Sequence, residues 1–536
     1  MNREDTKRWV PRMFVAVLLS LSAMPVPAQP LLHATVAEGS LAGKAEGSVA
    51  AYLGVPFAAP PVGENRWRSP GKPAIWKGER HADRFGASCQ QRVRPDGFGP
   101  WTSEYVITGE VSEDCLTLNV WTPAQSAQDK LPVLVWIYGG GFNSGGSSVA
   151  VYNGARLASH GILVVSFNYR VGVYGFFAHP ELTAESAAHA SGNYGLLDQV
   201  AALRWIHENI ASFGGDPARV TIAGQSAGGA SVNYLIASPL AKGLFSRAIA
   251  QSGSGMGLTL PDRASAEAMG SEVGKVGGEG QAAGDGLSLA QLRKLSAAEL
   301  DARLARASSS GAALTFAPIV DGLFFPNATT VGANTNDTPI LTGMVANEGS
   351  AFNSPDKMTP ANFSSQLVSK YGKLAPDFAA LYSATDSAQA AVSFDALSRD
   401  GGLAAQYFWA LGRLPHTRYP IYAYLWTHTE PGPDAARYLA FHSSELAYVF
   451  DTLDVAKRPF TEVDRKLAVQ LSTYWVNFVK SGDPNGGGQP RWPALSATDM
   501  QILEIGDATK PRAVLEANKL RLFERYTKGG GQLGLF

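Results

Sequence analysis

One serine is flanked by glycines in the run Gly224-Gln225-Ser226-Ala227-Gly228. The run fits G-x-S-x-G, a sharp strand-to-helix turn that can present a hydroxyl for attack on a carbonyl. With 57 glycines in the chain, the pentapeptide alone discriminates little, and its context must decide. A serine hydroxyl is a weak nucleophile near neutral pH and needs a positioned base. On α/β sheets that carry this turn, the partners follow in the order serine, acid, histidine.

Of the nine histidines, His416, His428 and His442 lie downstream of Ser226. His416, in "RLPHTRYP", sits beside prolines and has the look of a loop residue. His428 follows the strand-like "IYAYLW", and His442 lies in "AFHSSELAYVF", just before a helical start. Both stay open as bases, with His442 ahead because its loop can reach over a sheet edge. Two acids compete in the same way. Glu348, in "ANEGSAF", follows the strand-like "PILTGMV" and so falls beyond a strand's carboxyl end, where α/β sheets place their sites. Asp321, in "APIVDGLFFP", is more simply a turn residue before glycine. Developing negative charge needs backbone N–H groups aimed at it. "IYGGGFNSGG", from Ile137, offers three glycines through which backbone can approach a reacting carbonyl without a Cβ in the way.

These groups need rigid elements to hold them. Val133–Tyr138 and Ile162–Tyr169 are apolar, β-branched runs expected as strands. Leu196, Val200, Leu203, Ile206 and Ile210 recur at helical spacing, and Phe213-Gly214-Gly215-Asp216-Pro217 stops that helix. A strand is expected over Val220–Ala223, a helix after Ser226, and another strand at Ala248–Gln251. Strands alternating with helices imply a parallel, doubly wound sheet, with Ser226 at a strand-to-helix junction. Residues 262–315, rich in Ala, Gly and Ser, predict surface helices laid over the sheet, and residues 461–480 a further long helix.

At 536 residues, 45% hydrophobic and 17% charged, the composition is that of an ordinary globular protein, and length alone predicts two to four domains. A net charge of −1 and no basic stripe leave nucleic acid without an electrostatic footprint. No HExxH or paired CxxC appears, which argues against a zinc enzyme. Lys7, Arg8 and Arg12 precede an apolar run from Met13 to Met24, with Val26-Pro27-Ala28 as a small-residue cleavage site. The run is far shorter than the roughly 20 residues that span a bilayer. Residues 1–28 are therefore expected as a signal peptide, with the mature chain secreted or periplasmic and not inserted in a membrane. Cys89 and Cys115, the two cysteines of the chain, suit one disulfide in such a compartment.

Taken together, "GVPFAAPPVGENRW", "SEDCLTLNVW", "VWIYGGGF", "FNYRVGVYGF", "GNYGLLDQVAALRWIHENIASFGGDPARVTIAGQSAGG", "VANEGSAF", "FHSSELAYVF" and "SGDPN…WP" resemble the type-B carboxylesterase and cholinesterase family. The resemblance runs from about Val36 to Pro493. It implies an α/β-hydrolase fold: a central, mostly parallel sheet flanked by helices, with further helices covering the active-site gorge. Residues 29–536 would then form one domain, with helical cap elements that include roughly 262–315. It implies Ser226 as nucleophile, His442 as base and Glu348 as the acid orienting it. Gly140, Gly141 and Ala227 would supply the oxyanion-hole N–H groups, Cys89 and Cys115 the first disulfide, and Arg66 and Glu113 a structural ion pair. No metal or organic cofactor is implied, and the partner is a small-molecule ester.

Two positions depart from the family. Gln225 stands where a glutamate is usual, which weakens the case for cationic choline-type esters, and Ser443 stands where many relatives have glycine. A lipase on longer chains, an esterase for a complex natural-product ester and a catalytically silent binding protein are the competing functions. Trp101, Phe142 and Phe177 are candidate wall residues.

Overall fold

Apolar strand-forming runs recur along the chain, and eleven of them pair into one sheet in a computed structural model that describes residues 30–255, 259–275, 286–309, 313–353, 357–432 and 434–534. In chain order these are β1 (Lys44–Glu46), β2 (Val49–Pro56), β3 (Thr117–Thr122), β4 (Leu131–Ile137), β5 (Leu163–Phe167) and β6 (Gly215–Gln225). They continue with β7 (Arg247–Gln251), β8 (Ile340–Val345), β9 (Ile421–Trp426), β10 (Gln501–Ile505) and β11 (Lys510–Ala513). Their spatial order is β11-β10-β9-β8-β7-β6-β4-β5-β3-β2-β1. From β5 across to β10 every pairing is parallel, and the outer pairings are antiparallel. The expected segment 1–28 lies outside the described residues.

The central strands are buried almost end to end, which is why they read as continuous apolar runs without alternation. From β4 the chain crosses to β5 on one side and returns to β6 on the other. The loops leaving β4 and β6 therefore open side by side at the strands' carboxyl ends, where open α/β sheets bind their ligands.

Helix α1 (Tyr194–Asn209) buries Leu196, Val200, Leu203 and Ile206. It ends through a 3₁₀ turn at Gly214, whose φ of 79° is left-handed. Beyond it the strand runs longer than expected, starting at Gly215 with a register irregularity before Val220. Pro217 falls inside that irregular stretch, where a missing N–H costs no regular ladder bond. Helix α2 (Ala227–Ala237) follows Ser226 directly and is buried along its whole length.

The segment after residue 262 does fold as helices: α3 (Arg263–Lys275), α4 (Leu289–Lys294) and α5 (Ala297–Ser309). Buried arginines hold them down. Arg303 donates to the carbonyls of Val273 and Gly274, and Arg293 pairs with Glu185. Later in the chain come the short α6 (Leu446–Val449) and the long α7 (Glu462–Ser481), the latter opened by a Thr461–Asp464 capping box. Among the described residues no helix is long and apolar enough to cross a membrane.

Candidate active site

Ser226 is the turn between β6 and α2. Its φ of 59° and ψ of −125° lie in a region that costs a non-glycine residue about 1–3 kcal/mol and persists where surrounding structure enforces it. The enforcement is visible. The Ser226 N–H donates to the Gln251 carbonyl at the end of β7 (2.9 Å), and the Ser226 carbonyl accepts from Ala230 (2.8 Å). A Cβ on Gly228 would stand 2.0 Å from the Ile137 carbonyl oxygen, so glycine there lets α2 start directly against β4.

The glycine loop continues from β4. Gly140 and Gly141 both have positive φ, 112° and 62°, and the Gly140 carbonyl accepts from Asn143 and Ser144 to fold the loop back. Among the described residues, the N–H groups of Gly140, Gly141 and Ala227 donate to no other group. All three residues line the same cavity as Ser226.

Glu348 lies just past the end of β8 and is 3% exposed. One of its oxygens accepts from the Ser252 hydroxyl (2.6 Å) and the Val345 N–H (3.0 Å); the other accepts from His442 Nδ1. The loop bearing His442 is fastened to the loop bearing Glu348: Asn347 N–H donates to the Ala440 carbonyl, and Ser350 to the Tyr438 carbonyl. With Nδ1–H donated to Glu348, Nε2 is the acceptor nitrogen of the ring, and the Gln225 amide donates to it at 3.1 Å. Ser226 and His442 face one cavity. Ser443 has a φ of 86°, a conformation that glycine adopts without strain, which accounts for the family's preference at that position.

The competing candidates fall elsewhere. The Asp321 carboxylate accepts the N–H groups of Leu323 and Phe325 within its own turn. His428 is held between Asp464 (2.9 Å) and Asp507 (2.6 Å), and His416 ends a 3₁₀ turn. Arg66 grips Glu113 with two hydrogen bonds of 2.6 and 2.5 Å and donates to the Leu292 and Leu295 carbonyls at α4. Cys89 and Cys115 form a disulfide.

The cavity measures about 620 Å³. Trp101 and Phe142 line it as expected, whereas Phe177 packs in the core against Trp67 and Phe316. Much of the wall comes from the segment that the disulfide closes: Gln91, Arg92, Arg94, Phe98, Trp101 and Tyr105 all line the cavity. Gln91 keys this segment to the glycine loop, donating to the Gly145 carbonyl and accepting the Gly145 N–H, both at 2.7 Å. The Trp101 indole donates to the His442 carbonyl at 3.1 Å. Tyr105 donates to Glu430, whose carboxyl burial pushes up to about 8 against the opposing pull of Arg458. Sequence reasoning missed Gln91, Arg92, Arg94 and Glu430. The clue it had was that all but Glu430 lie between the two cysteines.

A strained serine at a helix start, a buried His–Glu pair whose histidine opens on the same cavity and idle backbone N–H groups beside them suit acyl transfer. The Carboxylesterase family model matches residues 30–523. The chain belongs to that family. This esterase is 36% identical over 499 residues to a fumonisin B1 esterase of Sphingopyxis macrogoltabida, which covers 89% of this chain and 87% of the relative. It is 34% identical over 481 residues to the para-nitrobenzyl esterase of Bacillus subtilis (strain 168), covering 88% and 94%. A fatty acyl-CoA hydrolase precursor (medium chain) of Anas platyrhynchos is 33% identical over 519 residues, covering 90% and 89%. The chain is a carboxylic ester hydrolase with the α/β-hydrolase fold, and its substrates are small-molecule esters.

Proposed function

We propose that Ser226 attacks the ester carbonyl while His442, oriented by Glu348, takes its proton. The observation that carries this is the buried hydrogen bond to Glu348 of a histidine, His442, that shares one cavity with a serine held at an enforced positive φ. The tetrahedral oxyanion rests on the N–H groups of Gly140, Gly141 and Ala227, which are already in place and lose no reorganisation energy. The charge also falls at the start of α2, where the helix field favours an anion. His442 then protonates the leaving alcohol, and water repeats the cycle on the Ser226 acyl-enzyme to release the acid. Arg66 and Glu113 serve as a structural pair.

Residues 29–536 act as one catalytic unit on this reading. The disulfide supports export to an oxidising compartment, secreted or periplasmic, directed by residues 1–28. The cavity's size and aromatic wall support esters bulkier than an acetate, as do the names of the fumonisin B1 and para-nitrobenzyl relatives.

The test is hydrolysis of p-nitrophenyl acetate, butyrate and a long-chain ester by the mature chain and its Ser226→Ala variant. The expected result is fast short-chain hydrolysis that falls by several orders of magnitude in the variant. Near-wild-type turnover by Ser226→Ala would refute the assignment.

A further inference from the structure

The arginines of this chain are mostly engaged. Arg66 holds Glu113, Arg170 holds Asp198, Arg293 holds Glu185, and Arg458 holds Glu104. Arg92 and Arg94 are set apart by where they sit. Both are exposed and both line the cavity that contains Ser226, yet among the described residues neither has a carboxylate partner within 4.0 Å. No aspartate or glutamate is among the described residues lining that cavity.

Asp96, Glu104 and Glu430, acids of this segment or in contact with it, do not line the cavity. Glu104 is buried against Arg458 and the Thr102 hydroxyl. Glu430 is buried against Tyr105 and Arg458. Asp96 is exposed and does not line the cavity. The position beside Ser226 is the neutral Gln225. In a chain of net charge −1, the described lining of this cavity therefore gathers positive charge without a lining carboxylate.

Geometry limits where that charge sits. The Arg94 guanidinium lies over the Phe98 ring, 5.1 Å from its centroid. A guanidinium held over a ring still has N–H donors for a planar anion such as a carboxylate. The disulfide closes this segment at both ends, and Gln91 keys it to the glycine loop. Two cationic forks are thus carried on a wall anchored to the catalytic backbone, while the interior of the cavity is aromatic and aliphatic.

Building on the assignment of Ser226, we infer that the preferred substrates carry a free carboxylate on an arm beyond the scissile ester, held by Arg92 and Arg94. The apolar interior takes the body of the ester and the arginines take the anionic end. The ligand class is an ester of a polycarboxylic acid, or of an alcohol bearing a carboxylate.

The experiment measures kcat/KM on two matched pairs. One pair is 4-nitrophenyl hydrogen suberate against its terminal amide, with the charge on the acyl side. The other is the butyryl ester of 4-(hydroxymethyl)benzoate against that of the corresponding benzamide, with the charge on the alcohol side. The expected result is a preference of about ten-fold for the acid in at least one pair, the scale of two partly screened arginine contacts. The preference should shrink in 500 mM NaCl. In the Arg92→Gln/Arg94→Gln double variant the acid-to-amide ratio should fall to about one, and Arg92→Glu/Arg94→Glu should invert it. The ratio is internal to each protein, so loss of folded enzyme does not imitate the effect. Equal kcat/KM within both pairs, or an acid preference that survives in the double glutamine variant, would overturn the inference while leaving Ser226 untouched. Failure of the wild type to cleave either member of both pairs would overturn both.

Discussion

Glu445, three residues after His442, is fully buried, and its replacement by glutamine gives a sharp stability test. Gln251 donates to one of its oxygens at 3.0 Å, the Tyr424 hydroxyl lies 3.5 Å from the same oxygen, and among the described residues the other oxygen has no partner. Burial first, and the neighbouring Glu348 second, raise its carboxyl from an ordinary 4.5 to about 7. A carboxyl raised on folding is bound to its proton more tightly in the native state than in the unfolded chain. Its stabilising contribution is therefore complete below about 4.5 and is lost as pH rises through about 7, a loss of about 3 kcal/mol. Glu445→Gln keeps the shape and an acceptor for Gln251 but cannot ionise. At pH 5 the two proteins should differ little. At pH 8.5 the variant should be the more stable by about 3 kcal/mol, which in a chain of this size is a melting shift of about 3 °C. Glu430, also raised by burial, is common to both proteins and cancels in the difference. Urea titrations of both proteins at pH 5.0 and 8.5 measure the gap. A gap of equal size at the two pH values, or a variant less stable at pH 8.5, would refute the claim that Glu445 is buried at an energetic cost when ionised.

Glu348→Gln should lower kcat by about 10³–10⁴, since the amide no longer fixes the tautomer of His442. Asp321→Asn should instead leave kcat close to wild type, because both N–H groups of its turn bond a single oxygen that asparagine retains; single-turnover kinetics compare the two variants, and an equal loss from Asp321→Asn would reopen the choice of acid. Removing the disulfide with Cys89→Ser/Cys115→Ser should cost about 3.5 kcal/mol for a bridge spanning 26 positions. It should also raise KM more than it lowers kcat, because the freed segment is cavity wall and not the serine elbow; a kcat loss with unchanged KM would count against that division.

The parts of the site legible in the sequence are those whose chemistry is written in consecutive residues. Ser226 and the loop at Gly140 needed a strand before them and a helix or turn after, and periodicity supplied both. Glu348 and His428 each declared themselves only as residues beyond an apolar run, and His442 only as a loop residue just before a helical start. What separates His428 from His442 is its pair of carboxylates, Asp464 and Asp507, brought from 36 and 79 positions away, a pairing that no local pattern encodes. Phe177 looked like a wall residue because core and wall aromatics share the same side chain; only packing against Trp67 assigns it. Arg92 and Arg94 were passed over because a surface arginine ordinarily signifies solvation, and their meaning depends on the want of a carboxylate among the described residues that line the cavity.

Placement of the reacting groups and choice of substrate draw on different parts of the chain, and their physical supports differ accordingly. Ser226, the N–H groups proposed for the oxyanion and Glu348 stand at the ends of β6, β4 and β8, whose positions are fixed by parallel ladders buried on both faces. Gln251 joins them crosswise: its carbonyl accepts the Ser226 N–H, and its side chain bonds Glu445 and the Trp475 indole. The segment between Cys89 and Cys115 has little regular structure of its own, so covalent closure, Gln91 and the Trp101 bond to the His442 carbonyl must do for it what the ladder does for the strands. Such a segment can change side chains without disturbing the strand ends, which is where an esterase can acquire a new substrate while retaining its chemistry. Through the Trp101 indole and the His442 carbonyl the wall meets the proposed base directly. Replacement of Trp101 by phenylalanine, which keeps an aromatic wall and removes the indole donor, should therefore move kcat as well as KM, whereas Arg94→Gln should move KM for anionic esters; similar KM-only effects from both would show that the wall is not coupled to the histidine loop.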